Sequence, residues 1–162
     1  MNTKEIFEDI QGRISGVVSI EEPEIGDPWI QIDPAQWHDV ALFLRDDEKL
    51  RFNMCLLVTG LDWPDEKWTV VYHLHSQEHN QRVTIKVDLP RTEPIVDSVH
   101  DVWSAANWHE RETFDLMGIE FRGHPNPTRI LCPDDWVGHP LRKDYEFPTE
   151  YRGIPYERNE KI

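Results

Sequence analysis

The sequence holds only two cysteines, Cys55 and Cys132, and neither belongs to a CxxC pair. Iron–sulfur clusters need several thiolates at short spacing, so the chain offers no ligand set for one, and the two thiols read as free. Cations are scarce as well. Against 31 Asp+Glu stand 17 Lys+Arg, a formal charge of −14. A phosphate backbone is held by clustered cations that displace its counterions, which excludes nucleic acid as a partner. No apolar run approaches the roughly 18 residues that cross a bilayer. The opening MNTKEIFEDIQGR lacks the apolar core of a secretory signal. The chain is therefore expected not to span a membrane itself and to stay on the cytoplasmic side. Neither GxGxxG nor GxxxxGKS/T occurs, nor GxSxG or HExxH, which removes the standard motifs for dinucleotides, nucleotide phosphates, acyl transfer and zinc hydrolysis.

What is present suits one globular unit: 162 residues with 38% hydrophobic content and seven tryptophans can bury a core. Apolar Ile6, Phe7 and Ile10 at helical spacing predict a short amphipathic helix from Thr3, as N-cap, to Ile14. The alternation in ISGVVSI (Ile14 to Ile20) predicts a first strand, and WIQI a short extended piece. Asp33-Pro34 is a helix start, followed by Trp37, Val40, Ala41 and Leu44 at 3–4 spacing, with an end near RDDEK. Three strands follow, 52–63, 68–76 and 82–90, and their short connections imply antiparallel neighbours. A second long helix is expected after Pro94, with Ile95, Val99, Val102, Trp103 and Ala106 on one side. This order predicts an α+β fold: a two-layer domain over 1–117 with one mixed, largely antiparallel sheet covered by helices.

The remainder, 118–162, has a different composition. Residues 1–109 carry 9 Lys+Arg against 20 Asp+Glu, whereas 110–162 carry 8 against 11 and hold six of the twelve prolines. Such proline density forbids long helices and central strands. Yet Trp136, Leu141, Tyr145 and their neighbours make the segment too aromatic for a solvated linker. An extended tail that folds against a partner accounts for both features.

Two clusters invite a chemical reading. His73, His75 and His79, with Glu78, have the residue types of a metal site, and on a strand His73 and His75 share a face; a stand-alone metal-dependent hydrolase is the function this would imply. The alternative is a polar sheet face running into a turn. Glu110, Glu112 and Asp115 flank Arg111 near a helix end, which offers either an acid/base pair or a structural ion network anchored by Arg111. The second is favoured, because no nucleophile motif accompanies the carboxylates.

The specific signal is the continuous segment WSAANWHERETFDLMGIEFRGHPNPTRILCPDDWVGHPLRKDY, Trp103 to Tyr145. It carries ERE (Glu110, Arg111, Glu112), then Asp115, Leu116 and Met117, then His124, and continues through Arg129, PDDW and GHPLRKDY. Over this stretch the sequence closely resembles the C (30-kDa) subunit family of NADH:quinone oxidoreductase, respiratory complex I. TGLDW (59–63), VVYHLHS and RVTIKV resemble the family's sheet more loosely. Thr128 departs from a pattern that has a basic residue or proline there.

The resemblance implies a peripheral-arm subunit of a proton-translocating enzyme with no cofactor of its own, FMN and iron–sulfur clusters lying in partner subunits. It implies the large D (49-kDa) subunit and the iron–sulfur subunits as partners, and a place at the cytoplasmic side of the inner membrane as part of the complex. Equivalent subunits of F420- or ferredoxin-linked quinone reductases and of membrane-bound hydrogenases are the alternative. No residue is expected to be catalytic. Within the motif that Glu110 opens, Arg111, Glu112 and Asp115 are expected to hold the turn into the tail by ion pairing, with His124-Pro125 and Gly138-His139-Pro140 as fixed bends. Arg122, Arg129, Arg142 and Lys143 are expected to give polar contacts to the partner, and Trp136, Leu141 and Tyr145 to anchor the tail on it.

Overall fold

The computed structural model describes residues 1–64 and 66–155. Asp65, in the turn between the first two long strands, and 156–162 of the expected tail lie outside the described residues. Helix α1 (Thr3–Gln11) is capped by Asn2, not by Thr3: the Asn2 side chain accepts from Glu5 N and the Glu5 side chain reaches back to Asn2 N, a reciprocal capping box. Strand β1 (Val17–Glu21) starts three residues later than the alternation suggested, because Gly16 turns the chain at φ 95° against Gln36. Strand β2 (Trp29–Ile32) leads to Asp33, whose side chain caps a 3-10 turn, Pro34–Gln36, before helix α2 (Trp37–Asp46).

The three long strands form as expected: β3 (Met54–Trp63), β4 (Lys67–Ser76) and β5 (Gln81–Pro90). Spatial order is β1-β2-β5-β4-β3, antiparallel throughout except for the parallel β2–β5 pair, so the sheet is mixed. Period-2 alternation sends Trp68, Val70, Tyr72 and Leu74 of β4 to one face, beside Val83, Ile85, Val87 and Leu89 of β5. Helices α1 and α2 cover that face with Ile6, Ile10, Trp37, Val40, Ala41 and Leu44, all fully buried. Trp37 lies 4.3 Å, centroid to centroid, from Tyr72 at its centre. The opposite face of the sheet receives no helix among the described residues.

The helix expected directly after Pro94 does not form there. Ile95–Asp97 are strand β6, parallel to β7 (Glu120–Arg122), and the chain then turns through Val99 to Trp103 before α3 (Ala106–Met117) begins. Val99, Val102, Trp103 and Ala106 are buried as the apolar spacing implied, but in the strand it is Val96 and not Ile95 that enters the core. Their spacing fitted a helix, but pairing with β7 satisfies the backbone of 95–97, and the Trp103 indole N–H donates to Phe52 O at 2.7 Å, anchoring the turn instead. Helix α3 packs on β3 at Gly60, where a Cβ would meet Met117 Sδ at 2.6 Å; only glycine permits that approach. Ile119 and Phe121, just beyond Met117, are core residues, so the domain's packing runs past 117 before the irregular segment starts.

Candidate functional site: a latch at the end of the third helix

Any α-helix ends with carbonyls that lack intrahelical partners. In α3 the left-handed Gly118 (φ 72°) returns its N–H to Phe114 O, and the following three carbonyls are met by the tail. His139 Nδ1 donates to Asp115 O at 2.9 Å, Leu141 N to Leu116 O at 2.9 Å and Arg142 Nε to Met117 O at 2.7 Å. A guanidinium at this terminus also faces the negative end of the helix dipole. Gly118 itself cannot be replaced without conflict, since a Cβ would stand 2.6 Å from the His139 ring and closer still to Arg142.

The centre of the latch is Asp115, whose carboxylate is fully buried. Its Oδ2 accepts three consecutive backbone N–H groups, Ile130 at 3.0 Å and Leu131 and Cys132 at 2.8 Å, while Oδ1 accepts from Arg129 Nη1 at 2.7 Å. Successive N–H groups converging on one oxygen make an anion nest. Burial pushes this carboxyl up, but the donors of Cys132, Leu131, Arg129 and Ile130 outweigh it and hold it below the usual carboxylate range. Arg129 extends the network by donating to Gly138 O at 3.0 Å. His139, pushed below the ordinary histidine value by burial, is neutral near pH 7 and serves as a donor through Nδ1.

Among the described residues Arg111 forms no ion pair, so it does not anchor the expected network there. Its guanidinium donates to Thr128 O at 3.0 Å, to Thr128 Oγ1 at 2.8 Å and to Arg129 O at 3.3 Å, and lies over the Trp108 ring. The hydroxyl of Thr128, the residue that departs from the family pattern, is thus in use; it passes a hydrogen bond on to Asn126 Oδ1. The ion pair belongs to Asp115 and Arg129, fourteen positions apart. Glu112 is exposed on the outer side of α3 and makes none of these contacts.

Glu110 faces inward, apart from the latch. Its Oε1 accepts Val99 N at 2.8 Å and its Oε2 the Ser98 hydroxyl, which fixes the turn between β6 and α3. Burial raises its carboxyl to about 7, against the opposing effect of the Ser98 and Val99 hydrogen bonds. His124 Nε2 is 3.9 Å from Glu110, too far for a hydrogen bond, and donates instead to Asn107 O at 3.1 Å while Nδ1 accepts Asn126 N. Desolvation keeps that imidazole neutral, so the pair is a packed acid beside a histidine and not an acid/base dyad.

A second tether had no sequence signal beyond the LDW of β3. Buried Asp62 accepts Lys143 N at 2.8 Å through Oδ2 and the Arg91 guanidinium through Oδ1; Arg91 also reaches Asp144 at 3.4 Å. Arg91 and Arg142 both lie over Trp68. Farther along, Tyr145 donates to Val137 O at 3.1 Å and packs against left-handed Gly138, and half-buried Trp136 sits 5.0 Å from Tyr151. Leu131, Val137 and Leu141 point outward, 61%, 84% and 58% exposed.

The histidines of the other cluster separate. His73 and His75 share a sheet face, but His73 meets Thr84 Oγ1, His75 the carbonyl of Gln81 and His79 that of Glu48. Among the described residues no three His, Cys, Asp or Glu side chains stand together as a ligand set. Nor is any described helix long and apolar enough to cross a membrane.

Comparison with known proteins matches residues 30–151 to the family described as respiratory-chain NADH dehydrogenase, 30 Kd subunit. A protein of Chlorobium phaeobacteroides, named as the C subunit of an NADH-quinone oxidoreductase, is 42% identical over 155 residues, 93% of each chain. Proteins of the same name from Chloroherpeton thalassium (46% over 123 residues) and a Nocardioides species (51% over 120) align with 74% and 70% of this chain. The chain spans about half the length of these two relatives, 51% and 48%. Among solved structures, a trypsin-resistant fragment (1-134) of Nqo5 superposes with TM-score 0.63 at 29% identity, covering 78% of this chain and 99% of that one. A chain of an archaeal membrane-bound sulfane sulfur reductase shares the fold, with TM-score 0.74 at 24% identity over 88% of this chain and 85% of that one.

Proposed function

Because the chain belongs to the 30-kDa subunit family of respiratory-chain NADH dehydrogenases, we propose that it is a redox-inert docking subunit in the peripheral arm of a proton-translocating NADH:quinone oxidoreductase. In this reading FMN and the iron–sulfur clusters are carried by partner subunits, and electrons pass from NADH to quinone through those chains. The large D (49-kDa) subunit and the iron–sulfur subunits are the partners, and the complex holds this chain at the cytoplasmic side of the inner membrane. No residue here moves an electron or a substrate proton.

One observation carries the proposal. Leu131, Val137 and Leu141 are held outward on a backbone that Asp115, Arg129, His139 and Arg142 lock in place. An apolar surface on a segment that is already ordered loses little conformational entropy on docking, so more of its burial appears as affinity. Trp136 and Tyr145 stiffen the same stretch through Tyr151 and Val137. Lys143 is exposed beside them and available for a polar rim contact. The same platform would serve the equivalent subunit of an F420- or ferredoxin-linked quinone reductase or of a membrane-bound hydrogenase; the electron-input subunits that copurify tell these apart.

The test is the double substitution Val137→Asp and Leu141→Asp, which touches no latch side chain. The isolated variant should keep its thermal midpoint, with surface effects within about 0.5 kcal/mol. On native gels of gently solubilised membranes the variant should be missing from the large complex, with NADH:quinone activity lost in proportion. Normal assembly with full activity would overturn the platform.

A further inference from the structure

The sheet face opposite the helices is formed by residues that alternation turns away from the core: Leu57 and Leu61 of β3, Val71 of β4, Lys86 of β5 and Trp29 of β2. Trp63, 44% exposed, stands at one end, and Leu57 is 40% exposed. Val71 is almost buried although it lies outside the main core cluster, so this face is already half-desolvated. A groove of about 390 Å³ runs over it between Leu61, Val71 and Trp29.

Its charge differs from that of the rest of the molecule. Residues 1–109 carry more than twice as many acids as bases. Among the described strand residues of this face, Lys67, Arg82 and Lys86 stand with Asp88 and, at the β1 end, Glu21, while the loop along the groove's rim brings Asp27. Asp88 is taken by Lys67 at 2.6 Å and by the Thr69 hydroxyl at 2.6 Å. The Lys86 ammonium lies 3.4 Å above the Trp29 ring and has no ion pair among the described residues. A partly buried cation on an aromatic ring, set in an apolar groove, is a contact that a partner's carboxylate completes.

We propose, resting on the assembly reading above, that this helix-free sheet face is a second docking surface, and that it receives an apolar segment of a partner subunit bearing an Asp or Glu against Lys86. It lies apart from the α3 latch, so the protein grips its neighbours by two surfaces: the ordered tail and the open sheet.

The test uses the chain assembled in cells with a photoreactive benzoylphenylalanine at Leu57 on the sheet, and separately at Val137 on the tail as the reporter of assembly. Irradiation of the intact complex should join Leu57 to another subunit through a peptide that carries Asp or Glu. Lys86→Glu should cut that product roughly tenfold, as expected for like charges at a partly desolvated contact, while Lys86→Arg retains it and the Val137 product persists. The sheet proposal is overturned, with assembly left standing, if Val137 crosslinks while Leu57 gives nothing, only a second copy of this chain, a peptide without carboxylates, or a product indifferent to Lys86→Glu. Failure of both positions overturns the assembly reading and this one with it.

Discussion

The core under the sheet and the latch at the end of α3 hold their segments of chain by opposite means. The core spreads its stabilisation over many side chains, from Ile6 to Phe121, each burying apolar area against several others. The latch places most of its weight on one carboxylate, Asp115, and one guanidinium, Arg142, that satisfy backbone groups. Distributed burial tolerates a loss by local collapse. A nest cannot, because removing the acceptor leaves every donor stranded. The tail is therefore held by few residues and ought to be separable from the domain.

The largest effects test that separability directly. Trp37→Ala should cost about 3–5 kcal/mol and lower the unfolding midpoint of the whole domain. Asp115→Ala removes the acceptor of a buried charge-assisted network, a loss of about 3–5 kcal/mol by the same scale of measurement, but its effect should be local. Hydrogen exchange at Ile130, Leu131 and Cys132 should accelerate strongly while the amides of β4 and β5 stay protected. If β4 and β5 lost protection to the same degree, latch and core would be one cooperative unit and the contrast would be false.

Next in size is the acid that serves the core side of α3. Glu110 is raised to about 7 in the folded chain from an ordinary value of 4.5. Its folded state therefore favours the protonated form, so its contribution to stability is complete below about pH 4.5 and is lost as pH rises through 7. Glu110→Gln keeps the acceptor for Val99 N and can donate to Ser98, without an ionisation. Chemical denaturation of both proteins from pH 5 to 8 should show the wild type losing on the order of 2–3 kcal/mol relative to the variant. Parallel pH profiles would mean that Glu110 titrates normally.

A smaller effect sharpens the boundary between the two regions. Gly118→Ala forces a Cβ into a left-handed position and toward His139 and Arg142, for about 1–3 kcal/mol of strain and displacement. The loss should fall on the tail, read as faster proteolysis beyond residue 123 with an almost unchanged domain midpoint. A stable, protease-resistant variant would show that the α3 terminus does not set the tail's path.

Where the sequence was readable, local periodicity was the reason. Val83, Ile85, Val87 and Leu89 alternate against Thr84, Lys86 and Asp88, and β5 follows from that alone. Asp33-Pro34 announces a helical start because both residues act on their own backbone. The segment after Pro94 misled because Ile95, Val99 and Val102 are spaced for a helix, while the deciding partner, β7, lies some 25 positions away. The latch residues were visible as a family motif, but their roles were not. Arg111 stands amid three acids and bonds to none of them, turning instead to the backbone of Thr128 and Arg129. Asp62 was visible only as part of TGLDW and Arg91 carried no sign, because each acts on a segment tens of residues distant.

By itself, then, the sequence determined the alternating strands, the first two helices, the acidic balance of the domain and the family that its ERE-to-GHPLRKDY segment marks. Only the tertiary structure decided where the tail lies, which carboxylate holds it and which sheet face stays open. Periodicity is a property of neighbours along the chain. The Asp115 nest, the Asp62 tether and the β3–β4–β5 face that no described helix covers exist only when distant segments meet.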